Sequence, residues 1–327
     1  MDINSDQLII ISGASGFIGS ALLRYLNEQG ISKNLVLVDH LGSSEKWKNL
    51  CGKSFSEYVP REELFDWLQG RESEIFAFIH LGACSDTMQK NADYLVQNNY
   101  LYTLKLAEYA LKNEIRFVYA SSAATYGDGS RGFCDDHECI EDLEPLNMYG
   151  MSKHMFDLWA KNQGVLHQLV GLKYFNVFGP NEEHKKHMAS AVVKILKDVR
   201  EKQKVLLFKS NDKKFADGMQ QRDFIYVKDA VEMTSRFLEN KVCGIFNIGS
   251  GVASTWMDLA SSVIDASGIK AEIEFIDMPP LLRGKYQNYT CADMRKYETE
   301  VGRVSTRPLR EAVQDYVRQH LLKEKRW

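Results

Sequence analysis

Short apolar runs alternate with longer stretches of helical period through the first half of the chain. Leu8–Ile11, Leu35–Val38, Phe76–Leu81, Phe117–Ala120 and Leu169–Tyr174 are almost wholly apolar, the pattern of strands covered on both faces. Between them, segments such as Ile18–Gln29 and Tyr100–Lys112 have helical length and spacing. This rhythm predicts an α/β fold, a doubly wound parallel sheet with helices on both sides. After Phe178-Gly179-Pro180 it loosens into charged helix, short strand and loop, with Lys209–Lys214 reading as cap or loop. Phe224–Val227 and Ile245–Ile248 return as strands, and Pro308 precedes a last helix over Leu309–Leu322. Two substructures that interleave in sequence are expected. Residues 1–175 with a returning segment 222–250 form the sheet domain, and 176–221 with 251–327 form a smaller C-terminal α/β cap.

Composition narrows the function classes. With 327 residues, 44% of them hydrophobic, the chain can bury a large core. Forty-one basic and 44 acidic residues are mixed along it, so no nucleic-acid footprint stands out. The six cysteines, at 51, 84, 134, 139, 243 and 291, form no CxxC pair. That usage suggests reduced thiols in a cytoplasm, and the Cys134/Cys139 spacing matches no zinc knuckle, so no metal is expected. The N-terminal stretch Met1–Asp6 is acidic and no apolar run could span a bilayer, so a soluble, unexported protein without a membrane partner is expected.

Directly after the first strand comes Ser12-Gly13-Ala14-Ser15-Gly16-Phe17-Ile18-Gly19. Glycines at a three-residue spacing let the backbone approach a pyrophosphate, and the helix they open presents N–H donors and the positive end of its dipole. A tight turn is the plainer reading of a lone glycine triplet. Here it lies between strand and helix, and the next strand ends at Asp39, about twenty residues on, where a ribose-binding acid belongs. A Rossmann-type dinucleotide site follows. Asp39 favours NAD through the ribose 2′-hydroxyl, whereas Lys46 and Arg61 could neutralise the 2′-phosphate of NADP, so the residues alone leave that choice open.

The fourth apolar run, Phe117–Ala120, delivers Ser121 and Ser122 at its C-terminal end, where open parallel sheets bind ligands. Tyr149 and Lys153 follow at a four-residue interval, one helical turn apart on one face. A phenol with a pKa of about 10 is a poor base at neutral pH, so a nearby ammonium and a cationic nicotinamide are needed to favour its phenolate. Lys153 can supply the first and hold the nicotinamide ribose, while Ser122 can donate to the oxygen that Tyr149 deprotonates. YxxxK alone also describes an ordinary surface helix; the glycine loop and strand-end serine are what give it chemical meaning.

Together these motifs resemble the extended short-chain dehydrogenase/reductase family of nucleotide-sugar enzymes over nearly the whole chain. Further segments narrow the resemblance to its ADP-L-glycero-D-manno-heptose 6-epimerase branch: His80–Ser85, Ala120–Gly127, Pro145–Gly150, Tyr174–Pro180, His184-Lys185, Met188–Ser190, Arg222–Phe224 and Gly284–Gln287. The resemblance implies NADP as cofactor, held by Phe17, Ile18, Asp39, His40, Lys46, Leu81, Gly82, Ala83, Cys84, Ser85, Asn98, Lys153 and Val177, with Arg61 standing where a lysine is usual. It implies substrate contacts at Asn176, His187, Lys194, Phe208, Arg222 and Tyr286. The sequence departs from the branch pattern at Lys186-His187, at Lys194 and in the longer Lys209–Gln221 segment. The implied activity is transient NADP-dependent oxidation and re-reduction at carbon 6, interconverting ADP-D-glycero- and ADP-L-glycero-D-manno-heptose for the inner core of lipopolysaccharide. Two opposite hydroxyl orientations ask for two proton-transfer groups, and the resemblance assigns them to Tyr149 and Lys185. By composition alone Lys185 is a surface lysine of a basic loop. A homo-oligomer is also implied, with a pentamer as the candidate.

Rival readings separate on particular residues. A 4,6-dehydratase needs an acid pair after the strand-end serine or threonine, where this chain has Ala123 and Ala124. A UDP-sugar 4-epimerase would use the same Ser, Tyr and Lys without a second base at Lys185. A non-catalytic dinucleotide sensor typically loses the Tyr or the Lys, and both are present.

Overall fold

The computed structural model describes residues 7–280 and 286–327. Met1–Asp6, and Gly284 and Lys285 of the Gly284–Gln287 segment, lie outside the described residues. Twelve strands are described: β1 (Leu8–Ser12), β2 (Leu35–Asp39), β3 (Glu57–Pro60), β4 (Ile75–His80), β5 (Arg116–Ser122), β6 (Leu169–Tyr174), β7 (Asn176–Phe178), β8 (Lys204–Phe208), β9 (Gln221–Tyr226), β10 (Gly244–Ile248), β11 (Ala253–Thr255) and β12 (Glu272–Ile276). Seven of them form one sheet in the order β10-β6-β5-β4-β1-β2-β3, and every neighbouring pair is parallel. The chain leaves β1 outward through β2 and β3, then returns to β4 and builds in the other direction. Crossovers therefore part at the C-terminal ends of β1 and β4, the crevice where such sheets take ligands.

The apolar runs become central strands because both of their faces are covered. Ile9, Ile11, Leu37, Val118 and Leu172 pack into one core layer, while the alternate residues Ile10, Val36, Phe78, Phe117 and Leu169 pack into the layer on the other side. The edge strand β3 falls outside the expected set. Its sequence Glu-Tyr-Val-Pro has one fully buried side chain, so it carries no apolar run to announce it. It makes the strand bearing Ser121 and Ser122 the fifth in the chain, not the fourth.

The helices are α1 (Phe17–Glu28), α2 (Leu64–Trp67), α3 (Ala92–Leu95), α4 (Tyr102–Lys112), α5 (Met148–Asn162), α6 (Ala191–Lys202), α7 (Val227–Ser235), α8 (Trp256–Ser267), α9 (Arg295–Glu300) and α10 (Leu309–Asp315). A wide turn over Val96–Leu101 joins α3 to α4, so helical structure begins about two turns before the expected Tyr100. Asn91 caps that start by accepting from the Tyr94 N–H at 2.9 Å. The early turns escape the periodicity because a polar residue, Asn99, faces inward there.

Two small sheets lie beyond β6. One has the order β11-β9-β7, with β9 parallel to β7 and antiparallel to β11; the other pairs β8 with β12 in parallel. Together with α6, α8 and α10 they enclose a separate core that includes Val192, Leu259, Val313 and Tyr316. The segment 222–250 divides between the units: β9 joins the small sheet and β10 extends the large one. Tyr297 of α9 also packs with Phe237 and Phe246 in the core of the large sheet. Among the described residues, no helix is long and apolar enough to cross a membrane.

Candidate functional site

Beyond β1 the backbone turns through Gly13 at φ 72°, and a Cβ placed there would lie 2.5 Å from the Gly82 nitrogen. Conformation and close approach both demand glycine. Gly19, in the first turn of α1, faces the Gly13 carbonyl with no room for a Cβ. The N-terminus of α1 has no side-chain cap, which leaves its N–H groups free for an anion. A bare glycine edge beside an uncapped helix fits a dinucleotide pyrophosphate.

Asp39, at the end of β2, is buried and fully engaged. One oxygen accepts from the Ser15 N–H at 2.9 Å and from the Ser15 hydroxyl; the other accepts from the His40 N–H and from Lys46 Nζ, each at 2.7 Å. The Asp39–Lys46 contact is an ion pair, so this corner of the crevice carries little net negative charge.

One cavity of about 820 Å³ runs from the glycine loop to the end of β5. Gly13, Gly16, Phe17, Ile18, Gly19, Asp39, His40, Lys46 and the stretch Leu81, Gly82, Ala83, Cys84 and Ser85 line its cofactor side. Ser122, Tyr149, Lys153, Asn176, Val177, Lys185 and His187 line the rest. The other expected residues stand outside this wall. Arg61 donates to Asn98 Oδ1 at 2.7 Å and lies 4.5 Å over the Tyr102 ring. Lys194 is exposed on α6. Phe208, Arg222 and Tyr286 form a cluster of their own: the buried Arg222 guanidinium stacks 4.9 Å from the Tyr286 ring, and Phe208 meets that ring edge-on at 6.3 Å. This cluster reaches the cavity through Trp256, which lines it and lies 5.8 Å from Arg222.

Asn147 caps α5 through the Gly150 N–H at 2.8 Å, which puts Tyr149 in the first turn and Lys153 one turn further on. Tyr149 hydrogen-bonds Ser122, and burial pushes its phenol above the usual tyrosine value despite that bond. Lys153 is buried, donates to the Ala120 carbonyl at 2.8 Å, and is held down to about 8, chiefly by burial. Ser122 Oγ accepts from the Ala124 N–H at 3.1 Å, which directs the hydroxyl proton elsewhere. In the protein by itself burial raises the phenol, and one proton of the Lys153 ammonium is engaged by a main-chain oxygen.

Lys185 reaches the same cavity from a short 3₁₀ turn, Glu183–Met188, broken at Lys186 with φ 51°. Its Nζ lies 5.3 Å from the centre of the Phe17 ring, and burial lowers its pKa, with Glu182 opposing and Lys194 assisting. His187 is exposed, its Nε2 3.6 Å from an Asp86 oxygen.

Three supporting groups escaped the sequence reading. Asn99 donates to the Cys84 carbonyl at 2.9 Å and accepts from the Cys84 N–H at 2.8 Å, pinning the strand-end loop to the helix. Asp157 accepts from Ser121 Oγ at 2.7 Å and from Lys173 Nζ at 2.8 Å, a fully buried pair beneath the end of β5. Glu182 accepts from the Ser190 N–H and hydroxyl, each at 2.6 Å, and so closes the loop that carries Lys185. Asp157 had a signal, since it lies four residues beyond Lys153 on the same helix face. The other two partnerships bridge segments fifteen and eight residues apart and leave no periodic trace.

The family model of the NAD dependent epimerase/dehydratase family matches residues 9–249. A protein of Nitratidesulfovibrio vulgaris (strain DP4) named ADP-L-glycero-D-manno-heptose-6-epimerase is 46% identical over 317 residues, covering 96% of this chain and 98% of its own. The crystal structure of Helicobacter pylori ADP-L-glycero-D-manno-heptose-6-epimerase superposes with a TM-score of 0.81 at 25% identity, over 98% of each chain. That of Bacillus cereus UDP-glucuronic acid 4-epimerase, in complex with UDP-glucuronic acid and NAD, superposes with a TM-score of 0.75 at 26% identity, over 96% of this chain and 99% of its own.

Proposed function

The chain belongs to the NAD dependent epimerase/dehydratase family, and from that premise we propose that it is an ADP-heptose 6-epimerase that inverts carbon 6 of ADP-glycero-manno-heptose with NADP. The observation that carries this reading is that two side chains able to move a proton, Tyr149 from α5 and Lys185 from the 183–188 turn, enter one cavity from separate elements. Inversion at a carbinol that has no adjacent carbonyl presents its hydroxyl in two directions, and each direction needs its own acid–base group. A bound nicotinamide supplies reversible two-electron oxidation of that carbinol. Tyr149 takes and returns the hydroxyl proton in one orientation, with Ser122 donating to the same oxygen. Lys185, its ammonium disfavoured by burial, does so in the other. Lys153 stays largely protonated at neutral pH and supplies the positive charge that the Tyr149 phenolate needs.

NADP is favoured over NAD because Lys46 neutralises Asp39, the group that would otherwise repel a 2′-phosphate. The diphosphate and adenosine of the sugar nucleotide belong on the Arg222, Trp256 and Tyr286 side, and the assembly is a homo-oligomer. Incubation with ADP-D-glycero-D-manno-heptose deuterated at carbon 6 tests the reading. The L-glycero epimer should form with its label retained; label lost to water would exclude internal return of the same hydrogen. Native mass spectrometry of the purified protein should show NADP.

A further inference from the structure

The turn that carries Lys185 has little regular structure to hold it. Asn181 has φ 80° and Lys186 φ 51°, both in the left-handed region, and Lys186 breaks the 3₁₀ turn Glu183–Met188. The height of Lys185 over Phe17 therefore depends on contacts from outside the turn. One side chain ties the turn directly to the glycine loop. Asn49, fully buried in the 3₁₀ turn Glu45–Leu50, holds its Nδ2 at 3.0 Å from the Ser15 carbonyl, 3.0 Å from the Asn181 carbonyl and 3.2 Å from His184 Nδ1. The two amide protons thus serve the two carbonyls, with His184 Nδ1 in reach as a third acceptor in the Nε2–H tautomer. His184, held down to about 4 by burial, is neutral at working pH and its ring nitrogen can accept.

The amide oxygen is engaged as well. Asn49 Oδ1 accepts from Arg326 Nε at 2.8 Å, and the same Nε lies 3.8 Å from Glu183 Oε2. The adjoining Trp327 N–H donates to Asn181 Oδ1 at 2.9 Å, and Asn181 Nδ2 returns a bond to the Trp327 main-chain oxygen at 3.0 Å. Asn181 Nδ2 also reaches Ser20 Oγ of α1 at 3.1 Å. One buried amide thereby joins the glycine loop, the Lys185 turn and the Arg326–Trp327 segment.

We infer that Asn49 is a positioning residue that sets Lys185 against the glycine loop, with Arg326 as the latch that fixes the amide's orientation. The inference rests on the reading of Lys185 as the second proton-transfer group. Ser15 belongs to the loop that cradles the dinucleotide, so the spacing between the reacting carbon and Lys185 passes through Asn49. A buried amide with every partner satisfied has one low-energy orientation, because turning it over would set its NH₂ against the Arg326 donor and its oxygen against two carbonyls.

Two readouts test it. The first is acetylation of Lys185 by acetic anhydride as a function of pH, quantified by peptide mass spectrometry with exposed Lys202 as the internal control. Asn49→Ala and Arg326→Gln should each change the Lys185 labelling rate severalfold while Lys202 stays constant. The second is a double-mutant cycle on epimerase turnover. Asn49→Ala should lower kcat roughly ten- to a hundredfold with KM little changed, and should cost less than about twofold more when added to Lys185→Met, since an already missing base cannot be misplaced. Unchanged Lys185 labelling in both variants, or losses that multiply in the cycle, would overturn the inference. If Asn49→Ala does not fold, Arg326→Gln on the partly buried partner decides the same question. If the wild-type protein turns over no ADP-heptose, the functional reading fails, and the labelling experiment still decides the positioning.

Discussion

Lys173 Nζ lies 2.8 Å from Asp157 Oδ2, with both side chains withdrawn from solvent beneath the strand end that presents Ser121 and Ser122. The pair is hydrogen-bonded beyond itself: Asp157 also accepts from Tyr119 Oη at 2.9 Å and from Ser121 Oγ, and Lys173 also donates to Thr125 Oγ1 at 2.6 Å. Because Asp157 sits on α5 and Lys173 on β6, the cluster fixes the helix that carries Tyr149 and Lys153 against the sheet.

Lys173→Met should strand a buried carboxylate and destabilise the fold by about 3–5 kcal/mol, since an isolated charge costs far more than the pair. Urea unfolding should show the midpoint falling accordingly. Adding Asp157→Leu to Lys173→Met should recover part of the loss, an outcome that a purely additive account does not allow.

Lys153, held down to about 8 by burial, is charged below that pH and loses its proton above it. Its support for the Tyr149 phenolate should fade with the charge, so kcat should decline as pH rises through about 8. Lys153→Arg, permanently charged, should remove that falling limb even if its overall rate is lower. Lys153→Met should lose roughly a hundredfold or more in kcat at pH 7.

Lys46 is ion-paired with Asp39 at the end of β2. Lys46→Ala should leave Asp39 as an uncompensated anion at the ribose. With NADP as the proposed cofactor, the ratio of NADP to NAD affinity should then fall by about tenfold or more, the loss of one charge-assisted contact. Titration of the cofactor-stripped protein with both dinucleotides measures the ratio.

His80 is buried between Ser12 and Thr103, and burial holds its ring down to about 3. The folded protein keeps this ring neutral well below pH 6.5, where the unfolded chain takes up the proton. Stability is therefore full above 6.5 and lost as pH falls toward 3, by about 2 kcal/mol at pH 5 from this group alone. His137 and His184, each held near 4, act in the same direction. Urea midpoints at pH 7 and pH 5 should show the loss, and His80→Gln, which keeps hydrogen-bonding capacity, should make it shallower.

Much of this architecture was legible in the sequence because its determinants are local. A strand buried on both faces reads as an apolar run, and a pyrophosphate turn reads as glycines at a three-residue spacing between strand and helix. Tyr149 and Lys153 share a helix face by their interval alone. What the sequence could not show was which distant groups meet. The fold sets Arg61 against Asn98 and divides β9 and β10 between sheets, pairings that no local pattern announces. Asn49, Asn99 and Glu182 carry no pattern of their own, because a polar side chain becomes a bracket only when tertiary structure buries it beside unsatisfied backbone. Periodicity records which face of an element is dry, and only packing decides what stands opposite it.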